Sequence, residues 1–252
     1  MRRALAILGL LIASPACAEA LFASLSTPRV AITSTFTGSS VVVFGAIERD
    51  GQTVARAGPY DIVITVRGPR QSLVVREKEP LGPMWINRSQ QKFVDVPLFL
   101  GVLSSRPLRE VTTEPLRRRL RVGLRAIMDA PDFTLERGPQ GDPFRDALLR
   151  LRVQEGLYVE RERGVSFLTP TIFRGPVPLP ATAPTGFYDV DVALFADGVV
   201  LARAETIFEL AKIGFEQRMA EFAREWSLAY GVATTLIALS FGWLASVIFR
   251  RD

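Results

Sequence analysis

Seven arginines crowd one short stretch of this chain: Arg106, Arg109, Arg117, Arg118, Arg119, Arg121 and Arg125. On a continuous helix, Arg117, Arg118, Arg121 and Arg125 share one face, opposite a stripe of Leu116, Leu120, Leu124 and Ile127. Guanidinium forks in such an array bind sulfonate, sulfate or lipid phosphate bidentately. The competing reading is a solvated helix face, balanced in part by Glu110 and Glu114. A second candidate is a set of carboxylates, Asp61, Asp189 and Asp191. The last two lie two apart on an expected strand and so project from the same face. Paired acids can do acid–base work or contribute to a Ca²⁺ site, although calcium wants more oxygens than two side chains offer. A third candidate is a packing surface. Ala238, Gly242 and Ser246 recur every four residues within an apolar segment, and Gly231 and Thr235 extend a similar pattern. Small residues at this spacing let two membrane helices approach closely.

What the chain lacks narrows the chemistry further. It has no His and one Cys, Cys17. Ser-His-Asp and Cys-His triads, His or Cys zinc sites, haem ligation and disulfides are therefore outside its means. No catalytic residue, metal or cofactor is expected. Of 31 basic residues only Lys78, Lys92 and Lys212 are lysines.

The two ends position everything else. Arg2 and Arg3 precede the apolar run Ala4–Ala13, then Pro15 and Ala16-Cys17-Ala18. This is the pattern of a secretory signal peptide over 1–18, cut before Glu19. Lipidation would instead require cleavage before Cys17, and Ser14 stands where a lipobox places a branched aliphatic residue. Residues 228–249 carry no charge. As a helix they extend about 33 Å, enough to cross a bilayer core. Trp226 and Tyr230 lie at one end as interfacial aromatics, and Arg250 and Arg251 follow at the other. The positive-inside rule places that second end, residues 250–252, in the cytoplasm. The expected location is therefore a bacterial inner membrane, crossed once, with the main domain in the periplasm. The formal charge of +5 falls to +2 when Arg2, Arg3 and residues 250–252 are set aside. Nucleic acid is not an expected partner.

Between these ends, residues 19–210 read as mainly β. Strands are expected at Val30–Thr35, Val41–Ile47, Tyr60–Arg67 and Ser72–Arg76. The apolar run Val41–Ile47 suggests burial on both faces, while Ile62, Ile64 and Val66 suggest one buried face. Further strands are expected at Val165–Phe173, before a Pro-rich stretch Pro176–Pro184, and in a hairpin turning at Asp197-Gly198. Tyr188, Val190, Val192 and Leu194 form one inner face of that hairpin. The stretch Pro184–Tyr188 resembles the start of strand F in immunoglobulin-like sandwiches, where a Tyr caps a corner. Two helices are expected in the middle, Thr113–Met128 and another opened by Asp142-Pro143. The expected architecture is an immunoglobulin-like β-sandwich built from both flanks. A helical insert occupies about 80–164 and includes a Trp85–Leu100 segment of mixed character. Phe215, Met219, Phe222 and Trp226 give residues 211–227 an amphipathic helical pattern leading into the membrane segment.

Several stretches together resemble an alphaproteobacterial transmembrane protein family without an assigned activity. They are Ile32–Ile47, Asp61–Pro69, Trp85–Pro97, Ser104–Leu108, Gly186–Gly198 and Lys212–Ala223. Coverage is weakest over Thr113–Gly164. The resemblance implies a neighbouring transporter of the sulfite-exporter type. Two classes of function are therefore in view. One is a non-enzymatic interaction protein that packs against a polytopic transporter or a second copy through its membrane helix. The other is an envelope enzyme using Asp61, Asp189 or Asp191, which requires a pocket of convergent acids. A purely structural envelope tether is the third option.

Overall fold

The computed structural model describes residues 19–32, 37–49, 59–130, 142–212 and 223–248. The expected signal peptide and the residues after Ile248 lie outside this set. The strands are β1 (Ala20–Leu25), β2 (Arg29–Ile32), β3 (Gly38–Glu48), β4 (Asp61–Arg67), β5 (Arg70–Leu81), β6 (Met84–Pro97), β7 (Leu100–Ser104), β8 (Tyr158–Arg161), β9 (Ser166–Phe167), β10 (Ile172–Pro180), β11 (Gly186–Ala196) and β12 (Val199–Lys212). The helices are α1 (Leu108–Val111), α2 (Glu114–Leu120), α3 (Leu124–Met128), α4 (Pro143–Gln154) and α5 (Ser227–Ile248). Two compact units result: residues 1–30 with 37–210, and residues 31–36 with 211–252.

The strands form three sheets, one of them curled into a half-barrel. Four strands run in the order β1-β3-β10-β9, six in the order β2-β12-β11-β4-β7-β8, and β5 and β6 pair alone. Both flanks of the sequence contribute strands to both larger sheets. These two sheets share a core. A Cβ placed on Gly175 of β10 would lie 2.6 Å from Cδ1 of Ile64 on β4. Val41, Val43, Phe173, Val177, Ile62, Ile64, Val66, Tyr188, Val190 and Val192 are all buried.

The other face of the six-stranded sheet is covered too. Val63, Val102, Ala193 and Phe195 join Leu108, Val111, Leu124, Ile127, Met128 and Leu148 of the helices in a second core. Hence β4 is buried from Asp61 to Val66. This reverses the expectation for two strands. The apolar run of β3 buries Val41, Val43 and Ile47 but leaves Phe44 and Ala46 exposed. The alternating pattern of β4 hides a two-faced strand, because Val63 and Thr65 serve the helical side.

Further boundaries differ from the sequence reading. The region 80–164 is not an insert outside the sheets, since β7 and β8 are its last two strands. They pair in parallel, and a parallel pair needs a long crossover. Helices α1 to α4 are that crossover. Trp85–Leu100 is no mixed segment but most of β6, and β5 runs on to Leu81 rather than stopping at Arg76. The Pro-rich stretch is largely β10. Its ladder to β3 continues through Pro176, Pro178 and Pro180. The backbone N–H of Ile172 points to Thr169 beside β9, away from β3. Pro176, Pro178 and Pro180 share its parity, so their missing N–H groups face the side that β9 leaves open and no ladder bond is lost. In the second unit, Ala211 and Lys212 extend β12 rather than opening a helix. The helical pattern of 213–222 lies outside the described residues.

Local chemistry matches expectation at the main turns. Asp197 and Gly198 have φ of 51 and 80, as a two-residue hairpin requires. Asp142 caps α4 by accepting from the N–H of Phe144 at 3.0 Å. Tyr188 is fully buried, stacks on Phe208 with centroids 4.8 Å apart, and donates its hydroxyl to the carbonyl of Pro184 at 2.6 Å. Burial holds this phenol well above its ordinary pKa. Tyr188→Phe keeps the stacking but leaves the Pro184 carbonyl without this donor. Denaturant unfolding of the full chain in detergent should show a loss of about 1–2 kcal/mol with unchanged β content.

Candidate functional site

The arginine array does not sit on one helix. Arg121 takes a left-handed φ of 55 at the end of α2, and Gly123 a φ of 101 before α3. The stripe divides accordingly: Leu124 and Ile127 are buried, while Leu116 and Leu120 are half-buried. This break corrects the expected Thr113–Met128 helix and its single face of Arg117, Arg118, Arg121 and Arg125. Local carboxylates take up three of the four. Glu114 pairs with Arg117 and accepts from Nε of Arg118 at 3.1 Å. Asp146 on α4 accepts from Arg125 at 3.0 Å. Exposed pairs of this kind contribute little to stability, but they occupy the forks that an anion would need.

Two buried charge groups stand out instead. The first is Asp61, at the head of β4 and 3% exposed. Its Oδ1 accepts from Ser105 Oγ at 2.8 Å and from Arg106 Nε at 2.8 Å, and Arg106 Nη2 reaches its other oxygen. The N–H of Ile62 in turn donates to Ser105 Oγ. The hydrogen bond to Asp61 raises the Arg106 pKa above its ordinary value. The segments Asp61–Pro69 and Ser104–Leu108, far apart in sequence, thus meet in one clip.

The second group surrounds Asp191. Its side chain is mostly buried, 4.0 Å from Arg67 and 3.5 Å from Arg203. Arg203 also donates to the carbonyl of Leu120, at the C-terminus of α2. A cation there complements the helix dipole. Burial lowers the Arg67 pKa, and the neighbouring Asp191 opposes that shift. Asp189 is exposed on the same strand. The two aspartates therefore share a face but not an environment, and Asp191 serves as a bridge between cations. Thr112 adds a further tie from the helices, donating to the carbonyl of Gly198 at 2.8 Å.

Arg145 on α4 escaped the sequence reading. Its side chain is 8% exposed and lies 3.9 Å from Asp129. Only a helical phase that puts it inward, beside Leu148, marks it out. Among the described residues, the grooves that indent the first unit include three with distinct linings. One of 690 Å³ lies between Val75–Lys78 of β5 and Phe144–Leu151 of α4. Another, of 860 Å³, is bordered by Arg161, Arg163, Arg174, Glu160 and Glu162. The third, of 540 Å³, runs beside Gly38–Ser40 and Pro178–Pro180. None is lined by Asp61, Asp189 or Asp191. Among the described residues there is no cluster of three acids able to hold a metal.

In the second unit, Ser227–Ser246 is a 20-residue apolar helical stretch with mean hydropathy 1.6 and nothing buried against it. Several of its hydroxyls turn inward on the backbone: Thr235 donates to the carbonyl of Gly231 at 2.8 Å and Ser240 to that of Leu236 at 2.7 Å. That is how hydroxyls are accommodated in a medium without water. Ala238, Gly242 and Ser246 fall at successive i, i+4 positions, and a Cβ added at Gly242 would meet nothing.

The Asp61 clip is testable as a structural element. Arg106→Ala leaves a buried carboxylate with half its partners, and Asp61→Asn removes the charge. A double-mutant cycle on thermal or denaturant unfolding should return a coupling of about 1–3 kcal/mol, the double variant losing less than the sum of the singles. Additive losses would mean that the pair is not energetically linked.

Comparison with curated proteins and with solved structures yields no match. A family described as Putative transmembrane protein (Alph_Pro_TM) matches residues 20–251. That span takes in all three sheets, the Asp61 clip and the exposed apolar helix, and the chain belongs to this family.

Proposed function

We propose that this protein is a non-enzymatic accessory component of an inner-membrane transporter, anchored by α5, with residues 19–210 in the periplasm. The observation that carries the reading is the 20-residue apolar stretch of α5, none of which is buried. Leu228, Leu239, Phe241 and Trp243 are each at least 66% exposed, which water does not tolerate over such a length and a bilayer does. The arginines at 250 and 251 and the signal-peptide pattern of 1–18 favour a cytoplasmic C-terminus. The periplasmic domain is read as an immunoglobulin-like β-sandwich. The Tyr188–Pro184 hydrogen bond supports that reading, since it links a Tyr near the start of a strand to a carbonyl four residues upstream. Its charges are largely spent on each other, as in the Asp61 and Asp191 groups. That favours scaffolding over catalysis. The family resemblance points to a partner of the sulfite-exporter type.

Within a bilayer no hydrophobic force drives helix pairing, so close packing must supply it. The face of Ala238, Gly242 and Ser246 offers the nearest backbone approach on α5. Ala238→Leu with Gly242→Leu should leave membrane insertion intact and abolish co-purification of the intact protein with its partner helix in mild detergent. Leu236→Ala is the control. Unchanged co-purification would reduce α5 to a plain anchor. For topology, a reporter active only in the cytoplasm should work after Asp252, and one active only in the periplasm should work after Gly138. The reverse pattern would overturn the orientation.

A further inference from the structure

The hairpin of β5 and β6 ends in an apolar tip that nothing described in the structure covers. Pro80 pairs with Trp85, and Leu81 pairs with Met84. The two residues between are Gly82, at φ 60, and Pro83. A glycine of positive φ at the first turn position followed by a residue of fixed negative φ is the chemistry of a tight hairpin turn. Directly opposed residues of an antiparallel pair share a face, and successive pairs alternate faces. Pro80 and Trp85 therefore point to one side of the ribbon and Leu81 and Met84 to the other. Leu81 is 57%, Met84 63% and Trp85 69% exposed.

The base of the same ribbon behaves differently. Val75, Phe93 and Val96 belong to the helical core. From Val75 the strand continues six residues to Leu81, a reach of roughly 20 Å at the rise of a β-strand. Side chains as far as Lys78 border the groove against α4. Past that point the ribbon is held by its own pairing and by Arg88 bonded to Glu79 at 3.2 Å. Arg76, Lys78, Arg88 and Lys92 flank the tip against only Glu77 and Glu79.

We propose that this tip is a membrane-interface probe: Leu81, Pro83, Met84 and Trp85 dip into the headgroup and upper acyl region of the bilayer that holds α5. An apolar surface on one face alone would suit a flat protein partner. A wedge that is apolar on both faces needs an apolar medium on both sides, and lipid supplies it. Trp at such a depth places its ring in the apolar layer and its N–H among the headgroups. The flanking excess of cations complements anionic phosphate. Tethering through α5 keeps the tip at high effective concentration near the bilayer, so a few side chains suffice. The inference rests on the membrane reading of α5, and the test separates the two.

The chain contains three tryptophans, Trp85, Trp226 and Trp243. Trp226→Phe with Trp243→Phe leaves Trp85 as the sole reporter. Trp85→Phe with Trp226→Phe leaves Trp243. Each full-length variant is reconstituted in phosphatidylethanolamine/phosphatidylglycerol vesicles containing lipids spin-labelled at shallow or deep acyl positions. Trp85 emission should shift to shorter wavelength and be quenched more by the shallow label than by the deep one. Leu81→Ser with Met84→Ser should restore quenching by aqueous acrylamide. Trp243 should be quenched by lipid labels in either case. If Trp243 is quenched and Trp85 responds only to acrylamide, the probe is refuted and the anchor stands. If Trp85 is shielded from acrylamide yet silent to both labels, a protein surface covers it and the proposal is equally refuted. Quenching of neither by lipid would overturn the anchor as well.

Discussion

A carboxylate at the head of a strand with no exposed face sets the main constraint on this fold. Asp61 opens β4, and β4 is covered by a sheet on one side and helices on the other. A charge in that position left alone would cost several kcal/mol. Ser105 and the fork of Arg106 satisfy both of its oxygens, and both come from the segment just after β7. The end of β7 is thus fixed beside the start of β4, consistent with the Val63–Ser104 register. From there the chain can return to the same sheet in parallel only by a crossover, and α1 to α4 make it across the face that β4 would otherwise expose. One ion pair, one register and the placement of the helical layer are therefore a single problem with a single solution.

That coupling also explains which parts of the fold were legible in the sequence. Features fixed by adjacent residues were readable: the Asp197-Gly198 turn, the Asp142-Pro143 start of α4, and the Pro184–Tyr188 corner. Features decided by what covers a strand were not. Phe44 and Ala46 look as buried as Val43, yet β3 faces a core on one side only. Thr65 looks like the polar face of β4, yet it is 3% exposed. The prolines of β10 set the Pro-rich stretch apart from the strand before it, because their tolerance in a ladder depends on which neighbour lies on which side. The single-helix arginine face is divided for a local reason: the chain turns left-handed at Arg121, a non-glycine, and the one breaker nearby, Gly123 at φ 101, stands two residues further on inside an otherwise helical apolar pattern. Arg145 was missed because an arginine inside a polar-looking helix carries no signal until the depth of its position is known.

The candidate sites sort by the same logic. Where the sequence showed charge, the structure mostly shows compensation: Glu114 with Arg117 and Arg118, Asp146 with Arg125, and Asp191 between Arg67 and Arg203. Compensated charge fixes geometry and fields little free potential. At Leu81–Trp85, which the sequence did not single out as apolar, and along α5, which it did, the structure leaves apolar residues uncovered. Uncovered apolar surface is the costlier condition in water, at about 25 cal/mol per Å². Among the described residues, what these two elements leave uncovered is apolar.

The proposed membrane partner rests on that asymmetry. A soluble anion would be recognised by forks held open, and most of those in the α2–α3 region are closed on neighbouring acids. A bilayer asks for something different: a long helix whose hydroxyls are satisfied internally, as Thr235 and Ser240 are, with small residues wherever another helix must approach. In the first unit the hairpin tip exposes Trp85 and Met84 on opposite faces of the β5–β6 ribbon, beyond the base that packs on the helical core. The helix α5 keeps its backbone bonds internal while presenting side chains outward, the condition that the hydrocarbon core imposes on any polypeptide, whereas the two-stranded ribbon has open edges, and its backbone suits only the polar interface. These uncovered apolar surfaces are the observations on which the proposed engagement of a membrane rests.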